Sequence, residues 1–104
     1  RYLKEMNSRK YYYVVAEEED KIVGYGQAEI KNKDVGVLEL IYVDKKFTKK
    51  GIGLKLLKEL EKWLKLKKVK FIESGFYYNN SPSAALHKKA GYKPIRIKMR
   101  KKVN

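Results

Sequence analysis

Cysteine is absent, histidine occurs once and proline twice in 104 residues. Without cysteine there is no disulfide framework, no thiolate zinc or iron–sulfur site and no cysteine nucleophile. The lone His87 excludes a histidine-rich metal site and the paired-histidine helix of a metalloprotease, so no metal is expected. No apolar run reaches the roughly 18 residues that cross a bilayer, so no membrane association is expected. No signal peptide is visible, and with the missing cysteine this points to a reducing, cytoplasmic location. Acidic residues are also scarce, 12 against 26 basic ones, which leaves a net charge of +14.

What is present argues for a folded domain. Hydrophobic residues make up 43% of the chain, including nine Tyr, three Phe and one Trp, too apolar for a disordered basic tail. The length suits one core, so residues 1–104 are expected to form a single domain.

The pattern along the chain alternates. Residues 1–9 read as the end of a helix. Tyr11 to Ala16, Ile22 to Ile30 and Val35 to Val43 read as three strands of an antiparallel meander. Glu17 to Asp20 and Lys31 to Asp34 supply the turns, and Gly24 and Gly26 are candidate bulges or points of close approach. Ile52, Leu56, Leu57, Leu60, Trp63 and Leu64 follow helical spacing, with Trp63 read as core. Val69 to Tyr77 reads as a strand. Ser81-Pro82 then opens a short helix that runs to Ala90 and stops at Gly91. Ile95 to Val103 alternates like a half-buried closing strand. The predicted order is β-β-β-α-β-α-β, an α/β (α+β) fold with a mixed, mostly antiparallel sheet.

Chemistry concentrates at one strand-to-helix junction, Lys49-Lys50-Gly51-Ile52-Gly53-Leu54. Glycine lets backbone N–H groups approach a ligand, and the helix N-terminus adds unpaired donors and partial positive charge. With two lysines alongside, this suits a pyrophosphate. It is neither a Walker loop nor a three-glycine dinucleotide fingerprint.

Two blocks at this separation resemble the GNAT superfamily of acetyl-CoA-dependent N-acetyltransferases. The first is Ile41-Tyr42-Val43-Asp44, then Thr48-Lys49-Lys50-Gly51-Ile52-Gly53, then Leu56-Leu57. The second runs from Asn80 through Ser81, Leu86 and His87 to Gly91-Tyr92. The resemblance implies that backbone groups of Ile41, Tyr42 and Val43 pair with the pantetheine arm of acetyl-CoA. It implies that N–H groups from Lys49 to Leu54 hold the pyrophosphate, and that Asn80 bonds the cofactor arm. His87 stands where many members carry a Tyr that protonates the departing thiolate, and an imidazolium can donate a proton near neutral pH. Thr48 replaces the Arg or Gln that opens the family's signature.

The strand and two helices with which the family usually begins are expected to be missing ahead of Tyr11. A truncated chain, a minimal pocket or a second copy in a homodimer would account for this. A general base should be a carboxylate near the cleft. Glu39 is the first candidate, placed by its even spacing on the same face as Ile41 and Val43. Glu73 is the other candidate, with a solvated or ion-paired role as its plainer explanation.

The expected activity is transfer of an acetyl group from acetyl-CoA to a primary amine of a small molecule or protein by direct attack in a ternary complex. The acceptor should not be strongly basic, because +14 repels a Lys-rich tail. The alternative is a basic module that binds nucleic acid non-specifically, or protein, on the same fold with a vestigial cofactor site.

Overall fold

A computed structural model describes residues 2–7, 10–47, 51–75, 81–96 and 98–103. Five strands form one sheet in the order β1 (Tyr2–Asn7), β2 (Tyr11–Glu18), β3 (Lys21–Ile30), β4 (Val35–Val43) and β5 (Phe71–Ser74). The first four are antiparallel neighbours, and β5 lies parallel to β4. Helix α1 (Ile52–Leu66) makes the crossover between them, preceded by a 3-10 turn at Lys45–Phe47, and α2 (Ser81–Lys89) follows β5. The mixed α+β class agrees with the sequence.

Local chemistry explains the turns. Glu19 and Asp20 both take positive φ, 49° and 63°, so the hairpin joining β2 to β3 is a two-residue turn whose twist matches its strands. Between β3 and β4, Asn32 Oδ1 accepts from the N–H groups of Asp34 and Val35 at 2.9 and 3.0 Å.

The core lies between α1 and one sheet face. Ile52, Leu56, Leu57, Leu60, Trp63 and Leu64 are all buried, against Tyr12, Val14, Ala16, Ala28 and Leu38. Tyr12 stacks on Trp63 with ring centroids 5.1 Å apart. The helix can settle this closely because glycines line its path: a Cβ on Gly26 would stand 2.8 Å from Leu60 Cδ1.

Two expectations are corrected at the chain ends. Residues 2–7 are not helical; they pair antiparallel with β2 from Tyr2 opposite Ala16 to Asn7 opposite Tyr12. The closing strand over Ile95 to Val103 is not formed by the described residues, and Ile95, Met99 and Val103 are exposed. Alternation marks a segment able to be half-buried, but a strand needs an edge to pair with, and the described residues of this one take none up.

Candidate active site

β3 accompanies β4 from Gly36 to Val43, whereas β5 accompanies it only from Val35 to Leu38. The last parallel pair is Leu38 opposite Ser74, and β5 ends there. Among the described residues, no strand lies beside Glu39 to Val43 on that side. An open edge inside a sheet carries unpaired N–H and C=O groups that an extended ligand can take up as an added strand.

A β-bulge sits at the apex of this opening. The β3–β4 register passes from Gln27 opposite Leu40 to Ala28 opposite Leu38, so Glu39 is the extra residue. The bulge inverts the phase of β4. Gly36 and Leu38 face α1 before it, and Ile41 and Val43 pack toward the same core after it. This corrects the expectation that Glu39 shares a face with Ile41 and Val43, because even spacing holds only in an unbroken strand. Glu39 is exposed, and its carboxyl meets Glu29 on the face turned away from α1. Tyr42, also exposed on that face, packs against Tyr25 with centroids 5.2 Å apart.

Partial desolvation pushes the Glu39 carboxyl above its ordinary range even on this exposed residue, aided by a hydrogen bond to Glu29 and by that neighbour's charge. Tyr11 stands opposite Glu29 on β2, and its hydroxyl is raised chiefly by its hydrogen bond to the same carboxylate. A carboxylate with a raised pKa is a stronger proton acceptor once ionised, as a general base needs to be. Glu73, the other candidate, is ion-paired with Lys31 at 3.6 Å.

At the far end of the opening, α1 begins at Gly51, whose φ of 76° is left-handed. A Cβ there would meet nothing within 4 Å. No side chain caps the helix, and its first turn holds no acidic residue. The N–H groups of Ile52, Gly53 and Leu54 belong to that turn and have no intrahelical acceptor, which leaves them for an anion. Lys49, Lys50 and Thr48, and Asn80 in the second block, lie outside the described residues. What is described fits acetyl-CoA: an open strand edge for an amide-bearing arm, and an uncapped helix start for its phosphates.

His87 is buried, at 8% exposure, and both ring nitrogens have partners. A carbonyl oxygen only accepts, so Nδ1–H donates to Ser83 O at 2.7 Å. In the neutral ring Nε2 then accepts the Ser74 hydroxyl, 2.7 Å away. Tyr92 meets the ring edge-on, with centroids 5.4 Å apart.

Residues 1–92 match the family model "Acetyltransferase (GNAT) family". The chain belongs to that family. As a GNAT member it is an acetyl-CoA-dependent N-acetyltransferase with acetyl-CoA as co-substrate. It is similar in structure to aminoglycoside N-acetyltransferase AAC(6′)-Iy in complex with CoA, at 20% identity and a TM-score of 0.81, over 93% of this chain and 79% of that one. It also resembles aminoglycoside 6′-N-acetyltransferase AAC(6′)-IG from Acinetobacter haemolyticus (20% identity, TM-score 0.72, 93% and 74% covered). A protein from Bacillus halodurans aligns at 19% identity and a TM-score of 0.82, covering 92% and 68%. Likeness at these identities shows the fold. No curated protein matches the GNAT chain by sequence.

Sequence reasoning singled out Glu39 and His87 but not the neighbours that the fold brings to them, Glu29 and Ser74. Glu29 becomes a neighbour of Glu39 through the pairing of β3 with β4, which no local pattern announces. Ser74 carried a weak signal, a polar residue closing an apolar strand just before Gly75.

Proposed function

We propose that this GNAT domain moves the acetyl group of acetyl-CoA to a primary amine of a small molecule, by direct attack in a ternary complex. The observation that carries this reading is the opening between β4 and β5, with the Glu39 bulge at its apex and the uncapped start of α1 at its far end. Backbone groups of Ile41, Tyr42 and Val43 hold the pantetheine arm. N–H groups from Lys49 to Leu54 hold the pyrophosphate, and Asn80 adds a bond from the second block. Acetyl-CoA supplies the activated acyl carbon. Glu39 takes the amine's proton, and with no cysteine in the chain the direct route needs no acyl-enzyme.

The acceptor is a compact amine in place of a Lys-rich tail. A net charge of +14 repels an extended basic chain over about 8–10 Å at physiological salt, while the Glu29–Glu39 pair offers a local landing point for one ammonium group. Two structural neighbours are aminoglycoside N-acetyltransferases, which makes aminoglycosides the first acceptors to assay.

Thermal or denaturant unfolding with acetyl-CoA tests the reading. Saturation at one hundred times the dissociation constant should add about 2.7 kcal/mol. Thiol release with aminoglycosides, polyamines, amino acids and N-terminal peptides at two salt concentrations then sorts the acceptors. Absence of any acetyl-CoA effect, together with stabilisation by duplex DNA, would replace this reading with that of a basic binding module. Rapid acetylation of polylysine that persists at low salt would overturn the acceptor class alone.

A further inference from the structure

We propose that Ser74, and not His87, delivers the proton to the departing thiolate, with His87 acting through it as a positioning residue. This rests on the acetyltransferase reading above. His87 is nearly enclosed, with Nε2 aimed at Ser74 Oγ and Nδ1 at the Ser83 carbonyl, so neither nitrogen points into the opening. Ser74 is only half-buried and is the last residue of β5, paired with Leu38 where the two strands part. Its partner across the ladder adjoins the bulged Glu39; the hydroxyl faces α2 on the α1 side of the sheet and the carboxylate lies on the other face, so the two stand on opposite sides of the same apex. Thioester aminolysis requires an acid on the side of the departing sulfur and a base on the side of the attacking amine, and the two faces of the apex supply one each.

The ring's two protonation states turn the Ser74 hydroxyl in opposite directions. With neutral His87, Oγ–H donates to Nε2 and the hydroxyl proton is held inside. With His87 as imidazolium, Nε2–H donates to Oγ, and the hydroxyl proton is free to point into the opening. Once the amine has added to the thioester carbonyl, the C–S bond breaks and its electron pair goes to sulfur. Sulfur takes the Ser74 proton, Oγ takes the Nε2 proton, and His87 is left neutral with Nδ1–H still on Ser83. Thiolate and imidazolium become thiol and imidazole, and solvent restores the proton to His87. The groups packed on the ring include Ser74 from β5, Ser83 from α2 and Tyr92 beyond it, with Glu61 of α1 behind the Tyr92 hydroxyl; Lys88 and Lys89 on α2 are exposed.

Steady-state kinetics of Ser74→Ala, Ser74→Thr, His87→Phe and the Ser74→Ala/His87→Phe double variant test this. Ser74→Ala should lower kcat about 100-fold or more while the KM for acetyl-CoA moves less than about twofold. Ser74→Thr, which keeps a hydroxyl, should recover most of the loss. The double variant should be no slower than the slower single, because the two side chains act as one unit. Wild-type kcat should fall as pH rises and the imidazolium is lost, and Ser74→Ala should lack that limb. Ser74→Ala at wild-type rate, multiplying losses in the double variant, or a high-pH limb that survives in Ser74→Ala would each overturn the relay. An inactive wild type that also fails to bind acetyl-CoA would instead overturn the acetyltransferase reading beneath it. Should Ser74→Ala fail to fold, the pH profile of Ser74→Thr against His87→Phe decides, since only the former should keep the limb.

Discussion

The Tyr92 hydroxyl donates to Glu61 Oε2 at 2.6 Å, tying the chain just after α2 to the middle of α1. Burial, and then the Glu61 carboxylate, raise the Tyr92 hydroxyl well above its ordinary value, so it stays protonated as the donor. The same ring meets His87 edge-on, which makes this bond part of what fixes α2 beside β5. Tyr92→Phe keeps the ring and leaves a half-buried carboxylate short of its donor. The expected loss is about 1.5–3 kcal/mol in urea unfolding, with an unchanged denaturant slope. A loss no larger than that of an exposed substitution would mean that water replaces the hydroxyl freely.

Where sequence reasoning succeeded, local rules and tertiary structure agreed. The apolar stripe of α1 is buried from Ile52 to Leu64, and the Asn32 turn and the start of α2 fall where their residue types ask. Where it failed, the deciding partner was distant in sequence. Residues 2–7 become a strand because β2 offers an edge, and their own composition does not demand it. The alternating Ile95 to Val103 segment shows the converse, a strand pattern whose described residues engage no edge. Glu39 sits one bulge away from the face its spacing assigned, and the spacing rule has no term for an inserted residue.

The two glycines at the start of α1 should separate cleanly in mutagenesis. Gly51 has a left-handed φ of 76°, so Gly51→Ala is strained by about 1–2 kcal/mol even though its Cβ would meet open space. Gly53 is helical, and its Cβ would lie 3.6 Å from Leu86 Cδ2 and Val43 Cγ2, an ordinary contact. Gly53→Ala should therefore leave apo stability unchanged or raise it slightly, since alanine is the better helix former. Any loss of acetyl-CoA stabilisation in Gly53→Ala then reports on close backbone approach to the phosphates. Equal apo stability in Gly51→Ala and Gly53→Ala would contradict the left-handed cap.

Gly36 is a harsher site. A Cβ there would collide with Leu64, one of the fully buried residues of α1. Gly36→Ala should cost about 1–3 kcal/mol as α1 shifts off the sheet. Pairing it with Leu64→Ala should recover part of that loss, because the new methyl then fills the space vacated by leucine. Strictly additive losses in the double variant would show that the helix has already moved away.

The Glu29–Glu39 pair makes the last prediction, and its sign is fixed by the direction of the shift. Glu39 has a raised carboxyl pKa, so the folded state holds that proton more tightly than the unfolded chain does. This favours folding at low pH, and the advantage is lost as pH rises through the folded-state value. Above it, two carboxylates repel, so Glu29→Gln should stabilise the protein at neutral pH and lose that benefit in acid. If Glu39 is the base, its ionised form carries the reaction, and kcat/KM falls as pH drops through its pKa. Removing the Glu29 charge should return Glu39 toward its ordinary range and move that acidic limb to lower pH. Glu39→Gln should abolish the limb and slow the reaction most where the amine is still protonated. The pH profiles of kcat/KM for wild type, Glu29→Gln and Glu39→Gln decide it. A limb that stays in place when Glu29 is neutralised belongs to the acceptor amine, and Glu39 would then be a docking charge for that amine with no part in taking its proton.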